Sequence, residues 1–190
     1  DLIGANPHEI VFTSGSTESI NLALKGACAG SSGRTGLVTL ETEHKAVLDV
    51  ASWLERKGSR VSRAAVNSDG QADWEALSAL VDDQTAVVSV MAANNETGVV
   101  SELEAVSSLA HSSDALFHTD ATQAVGKMPF DIEQLDVDLA SISAHKIYGP
   151  KGVGALYVRR TVTLDPIIHG GGHEGGLRSG TLNVTGIVGF

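Results

Sequence analysis

Cysteine is all but missing from these 190 residues: Cys28 stands alone. An internal disulfide is excluded, and a reducing compartment is expected, with the cytoplasm as the default. Cationic side chains are also scarce. There are 13 Lys and Arg against 23 Asp and Glu, and the net charge of −10 argues against partners such as nucleic acid or an anionic membrane surface. No apolar run approaches the roughly 20 residues needed to span a bilayer. No signal-like segment opens the chain. Aromatic residues make up only 4%, while glycines number 21. Such a chain builds its core from small side chains and brings backbone close to its neighbours.

What remains is ordinary for a globular protein: 42% hydrophobic and 19% charged residues, enough for one domain with a full core. Short apolar runs rich in β-branched residues lie at 10–12, 36–40, 60–66, 85–91, 115–119, 137–143 and 153–158. Helical spacing fills several of the gaps. Val47, Val50, Ala51 and Leu54 form one buried stripe; Trp74, Leu77 and Val81 form another, and Leu103, Val106 and Ala110 a third. Ile20, Leu24 and Cys28 line one side of a helix starting near Thr17, which makes Cys28 a small core residue. This alternation predicts an α/β fold with a mostly parallel sheet and helices on both faces. The link from residue 146 to residue 153 is too short for a crossover, so the last strand is expected to run antiparallel. Composition shifts after Arg160 into a glycine-rich, loop-like region. Residues 1–4 read as the tail of a helix and 187–190 as the start of another, so the chain is expected to be part of a longer protein.

Ligands of open α/β sheets collect at the carboxyl ends of strands, and the chemically interesting residues sit there. Lys146 ends an apolar run beside Ser143 and His145 and precedes a Gly-Pro turn. That placement suits Schiff-base chemistry on a phosphorylated cofactor; a solvated turn lysine is the competing reading. Asp120 ends another run. A buried carboxylate facing a pyridine nitrogen keeps it protonated, and Gln123 can donate to a ring hydroxyl. A metal site using Asp120 and His118 ranks lower, because the histidines are dispersed. Gly15 permits a tight turn, and Ser16, Thr17 and the helix-start amides can cradle an anion, although an ordinary N-cap needs the same residues. His44 fits a cap, a general base or a ring lying flat on a ligand. Asn95 sits in a turn of good turn formers.

Six strings occur in one order: Phe12-Thr13-Ser14-Gly15-Ser16-Thr17-Glu18-Ser19, Thr42-Glu43-His44-Lys45-Ala46-Val47, Asn94-Asn95-Glu96-Thr97-Gly98, His118-Thr119-Asp120-Ala121-Thr122-Gln123, residues 143–152 (Ser143 to Gly152), and Gly170-Gly171-Gly172-His173-Glu174. From residue 10 to residue 190 the chain resembles the cysteine desulfurases, pyridoxal 5'-phosphate enzymes of the class V aminotransferase superfamily. The resemblance implies that residues 1–190 form one partial cofactor-binding large domain, of the fold-type I kind. Lys146 is then the Schiff-base lysine and proton shuttle, with His44 stacked on the ring and Asn95 beside cofactor and substrate. Asp120 pairs with the pyridinium and Gln123 with the ring hydroxyl. Ser16, Thr17, Ser143 and His145 hold the phosphate, and Thr181, after Arg178-Ser179-Gly180, reaches the phosphate of a partner subunit.

The implied activity converts L-cysteine to L-alanine and passes sulfur, as an enzyme persulfide, into iron–sulfur assembly or thiolation. The implied partners are a second subunit in a homodimer and a sulfur-acceptor or scaffold protein. Two departures stand out. Gly175 occupies the family's usual arginine position, and neither the family's nucleophilic cysteine nor its substrate-carboxylate arginine has a counterpart here. This chain alone is therefore expected to be inactive as a desulfurase. A sister enzyme, such as a selenocysteine lyase or an aminotransferase, shares the same motifs, and a non-catalytic fragment that only binds or dimerises is the remaining alternative.

Overall fold

The seven apolar runs all become strands, since β-branched and small residues suit a pleated surface covered on both sides. The computed structural model describes residues 2–30 and 33–190. Among these, the sheet comprises β1 (Ile10–Thr13), β2 (Gly36–Leu40), β3 (Val61–Ala64), β4 (Thr85–Ser89), β5 (Leu116–Asp120), β6 (Leu139–Ser143) and β7 (Gly154–Val158). Their order across the sheet is β1-β7-β6-β5-β4-β2-β3. The pairs within β3-β2-β4-β5-β6 are parallel, and β7 alone runs against both of its neighbours. The antiparallel last strand is thus as the short connection required.

Helices α1 (Ser16–Gly30) and α2 (Lys45–Arg56) cover one face, with Ile20, Leu24, Val47, Val50 and Leu54 packed on Leu37, Val87, Leu139 and Leu156. Helices α3 (Trp74–Leu80) and α4 (Leu103–His111) cover the other, where Leu77, Val106 and Ala110 meet Val38, Val88, Phe117 and Ile142. The stripe of α2 is buried as its spacing indicated. Helix α1 is buried far beyond one stripe, with Leu22, Ala23, Gly26 and Ala27 enclosed as well. The cause is a strap crossing its outer side: Asp165 N donates to Gly26 O, and a Cβ at Gly26 would lie 2.8 Å from Asp165 O.

The terminal helices expected from sequence differ. Residues 2–4 form a bend, because Ile3 O accepts from Ile132 N and Gly4 takes a φ of +77°; Asp1 lies outside the described residues. A short helix, α5 (Val184–Val188), is capped by the Asn183 side chain and ends before Gly189, so Phe190 follows a helix rather than opening one. The glycine-rich region is tied down too. Glu174 accepts the Phe12 amide at 2.7 Å, and Arg178 pairs with Glu18 at 2.8 Å.

One glycine decides how two loops meet. Gly154 opens β7 in register with Thr13 on one side and Ser143 on the other. A Cβ there would approach Ile142 O to 2.5 Å and Gly15 Cα to 2.6 Å, both backbone atoms. Gly154→Ala is expected to lower stability by about 1–3 kcal/mol, measured as a shift in urea midpoint at unchanged slope. An unchanged midpoint would show that this approach is slack.

Candidate active site

Parallel strands deliver the residues that follow them to one rim. His145 and Lys146 lie in a 3-10 turn, Ala144–Lys146, directly after β6, and Asp120 ends the neighbouring β5. Lys146 and Asp120 line a cavity of about 280 Å³ together with Ser16, Thr17, His44, Met91, Asn95, Thr122, Gln123 and His145. A second cavity of about 320 Å³ shares Ser16, Thr17 and His145 with the first and adds Ser14, Gly15, Ser143, Lys151 and Gly152. Nine of the ten residues singled out from sequence therefore gather at this rim. Thr181 is the exception, being exposed and lining neither cavity.

The Asp120 carboxyl is 5% exposed, and its Oδ1 accepts from Thr122 N at 3.0 Å. Burial pushes this acid above its ordinary range, opposed by the Thr122 hydrogen bonds and by the nearby His44. No hydrogen bond to Oδ2 is found among the described residues, and such a group favours a cationic or hydrogen-donating guest. Gln123 Oε1 accepts from Lys127 Nζ, which leaves the amide nitrogen of Gln123 as its free donor. Lys146 is exposed and makes no ion pair among the described residues.

His44 is the N-cap of α2: its Nδ1 accepts from Ala46 N at 3.1 Å. That bond places the proton of the neutral ring on Nε2, so the ring can cover or donate but has no free lone pair at Nδ1. Asn94, which precedes the cavity-lining Asn95, orders the turn. Its Oδ1 accepts from Glu96 N and Thr97 N, and its Nδ2 donates to Thr42 O.

The second cavity has the chemistry of an anion seat. First-turn amides of α1 lack intrahelical acceptors, and Ser16, Thr17 and Ser143 add hydroxyls. Ser143 Oγ lies 2.8 Å from His145 Nδ1, and Lys151 brings a positive charge. Glu18 sits at the same helix start. Burial pushes its carboxyl up, but hydrogen bonds from Arg178 and Ser14 outweigh that and leave it below the ordinary value.

His118 has both ring nitrogens engaged in hydrogen bonds. It is wholly buried, its Nδ1 bonded to Ser89 Oγ at 2.8 Å and its Nε2 to Ser141 Oγ at 2.9 Å. Burial drives its pKa down to about 3, so the ring is neutral. Sequence reasoning passed over Lys151, Met91 and Thr122, which line these cavities, and Glu43, which lines neither but accepts from Met91 N. Lys151 had a signal, a cation just past the Gly-Pro turn. Glu43 had none, because its neighbours come from β4 and β5.

A mixed sheet whose rim carries an amine, a buried acid and an anion seat defines a class, and the chain belongs to the aminotransferase class-V family, whose model matches residues 1–190. Enzymes of this class depend on pyridoxal phosphate, and the donors present fit that group: a buried acid with a free oxygen, an amine facing the same space, and an adjoining seat for a dianion. Within the family, the relatives are cysteine desulfurases, as the motif strings implied. The cysteine desulfurase IscS of Anaeromyxobacter sp. (strain Fw109-5) is 56% identical over 193 residues, and that of Proteus mirabilis (strain HI4320) is 54% identical over 194. Each match takes in 100% of this chain and 48% of the relative, so the chain spans about half the length of the relatives it matches. Among solved structures, a NifS-like protein superposes with a TM-score of 0.95 at 48% identity, covering 99% of this chain and 52% of its own. A structure described as SspA in complex with cysteine gives 0.95 at 41% identity, covering 100% and 55%.

Cys28 lies far along α1 from this rim, and burial raises its thiol to about 12. In the native chain at pH 8 it is expected to resist iodoacetamide, and in urea to react readily. Fast native labelling would contradict its place in the core.

Proposed function

We propose that this chain is the cofactor-binding large domain of a cysteine desulfurase, which takes sulfur from L-cysteine and releases L-alanine. The observation that carries this reading is that Lys146 and Asp120 line one cavity adjoining an anion seat. The names of the relatives support it, as does a similar structure described as a complex with cysteine. When bound, pyridoxal phosphate supplies an electron sink for the substrate Cα.

The chain's own residues would hold and orient it. Asp120 would hold the proton of the ring nitrogen in a water-poor setting, where a carboxylate acts most strongly. Gln123 Nε2 would donate to the ring hydroxyl. His44, fixed by its capping bond, would cover the ring, and Asn95 would border cofactor and substrate. Ser16, Thr17, Ser143 and His145 would bind the phosphate and orient the ring. Lys146 Nζ would anchor the cofactor and would serve to move a proton at the substrate Cα. Thr181, on a loop tied to Glu18 through Arg178, suits a role toward a second subunit of a homodimer. The released sulfur would go to an acceptor or scaffold protein for iron–sulfur assembly or thiolation, in the cytoplasm.

Titrating the chain with pyridoxal phosphate is expected to produce visible absorbance that borohydride fixes on Lys146, located by mass spectrometry. Lys146→Ala abolishes the absorbance, and Asp120→Asn weakens binding about tenfold, near 1.4 kcal/mol. Equal absorbance in wild type and Lys146→Ala would overturn the assignment. With cysteine added, the loaded chain is expected to release sulfide no faster than free cofactor does, since Cys28 is buried and protonated. Enzyme-rate sulfide release would refute the expectation that this chain alone is inactive as a desulfurase.

A further inference from the structure

We propose that Glu43 is a positioning residue of the cofactor cavity, holding Met91 and His44 on its walls through a single carboxyl group. The inference rests on the cofactor reading above. Beyond β4 the backbone amides alternate in direction. Val90 N donates to His118 O and Ala92 N to Asp120 O, both toward β5. Met91 N therefore faces the other way, toward β2, which has already ended at Leu40. Glu43 Oε1 fills that gap and accepts the Met91 amide at 2.8 Å. The next residue, His44, caps α2, so one side chain fixes the Met91 wall and the base of the His44 wall together.

The surroundings of this carboxyl are unusual. It is 5% exposed, and Oε2 has no hydrogen-bond partner among the described residues. β5 presents the acid Asp120, the end of β4 presents the Met91 amide, and α2 begins with His44, whose Nδ1 is already occupied. No cation is among the groups acting on it. An enclosed anion with one donor and an acidic neighbour is unfavourable, and such a group takes up a proton instead. Burial, opposed by the Met91 bond and reinforced by Asp120, raises Glu43 to about 8. At neutral pH Glu43 is then an uncharged acid, and Asp120 is left as the acid a ring nitrogen meets.

Two variants test this. Glu43→Gln keeps the acceptor for Met91 and mimics the neutral acid, whereas Glu43→Ala removes both. At pH 7, cofactor affinity measured by visible absorbance is expected to stay within threefold of wild type for Glu43→Gln and to fall about tenfold for Glu43→Ala. The unloaded chain gives an independent reading. The folded acid is raised above its ordinary value of 4.5, so its stabilising contribution is complete below that pH and is lost as pH climbs toward about 8. The melting temperature of Glu43→Gln relative to wild type should therefore rise between those limits and level off above them. Parallel melting curves across that range, or wild-type affinity in Glu43→Ala, would overturn the proposal; should Glu43→Ala not fold, the Glu43→Gln curve decides. Failure of the cofactor reading has another signature: wild type takes up no cofactor although the melting curves diverge, and the assignment of these walls to a cofactor cavity falls with it.

Discussion

The site exists because strand direction is shared. β1, β2, β4, β5 and β6 point their carboxyl ends to one rim, and each hands over one piece of chemistry there. β1 leads into the Ser16–Thr17 seat, β2 into Glu43 and His44, and β4 into Met91 and Asn95. β5 ends on Asp120 itself, and β6 leads into Ser143, His145 and Lys146. The reversed strand β7 begins at the same rim, and its first residue, Gly154, has no side chain to keep Gly15 and Ser143 apart. Hydrogen bonding within one sheet thus sets distances that no loop could hold alone.

Electrostatics then sort the rim into two halves. The chain as a whole is strongly acidic, yet the seat beside α1 collects helix-start amides, His145 and Lys151, while Glu18 is matched by Arg178. The ring half is the reverse, with Asp120 and Glu43 both enclosed and both raised by burial. Beneath them runs a polar seam of Ser89, His118 and Ser141, each buried and each bonded, with Thr39 Oγ1 donating to Ser89 O. A neutral His118 lets this seam cross the sheet without adding charge under Asp120.

Much of this was legible in the sequence, because period and punctuation are local properties. All seven strands fall within or beside their apolar runs, and α2 starts where a capping His44 precedes a clean stripe. The rim residues were legible as well, since each follows a strand and strand ends converge in this class of fold. The rest was hidden by long-range contacts. Nothing near Ile10 announces that β1 pairs with β7, nearly 150 residues away. The spacing of α1 showed one stripe, but the strap at Asp165 buries the helix from outside. Residues 2–4 had helical-looking composition and lost it to a bond with Ile132 and a left-handed Gly4. Glu43 stood in a motif string without a role, because its partner Met91 is 48 residues away, beyond the neighbouring strand β4.

The clasp between Glu18 and Arg178 carries one more implication. Glu18 grips Ser14 N with Oε2 at 2.9 Å and Arg178 Nε with Oε1 at 2.8 Å, while Glu174 independently grips Phe12 N. The turn that seats an anion and the loop that carries Thr181 are therefore one mechanical strut rather than two independent parts. Neither the turn nor the loop can shift alone without breaking a charged hydrogen bond at Glu18 or Glu174.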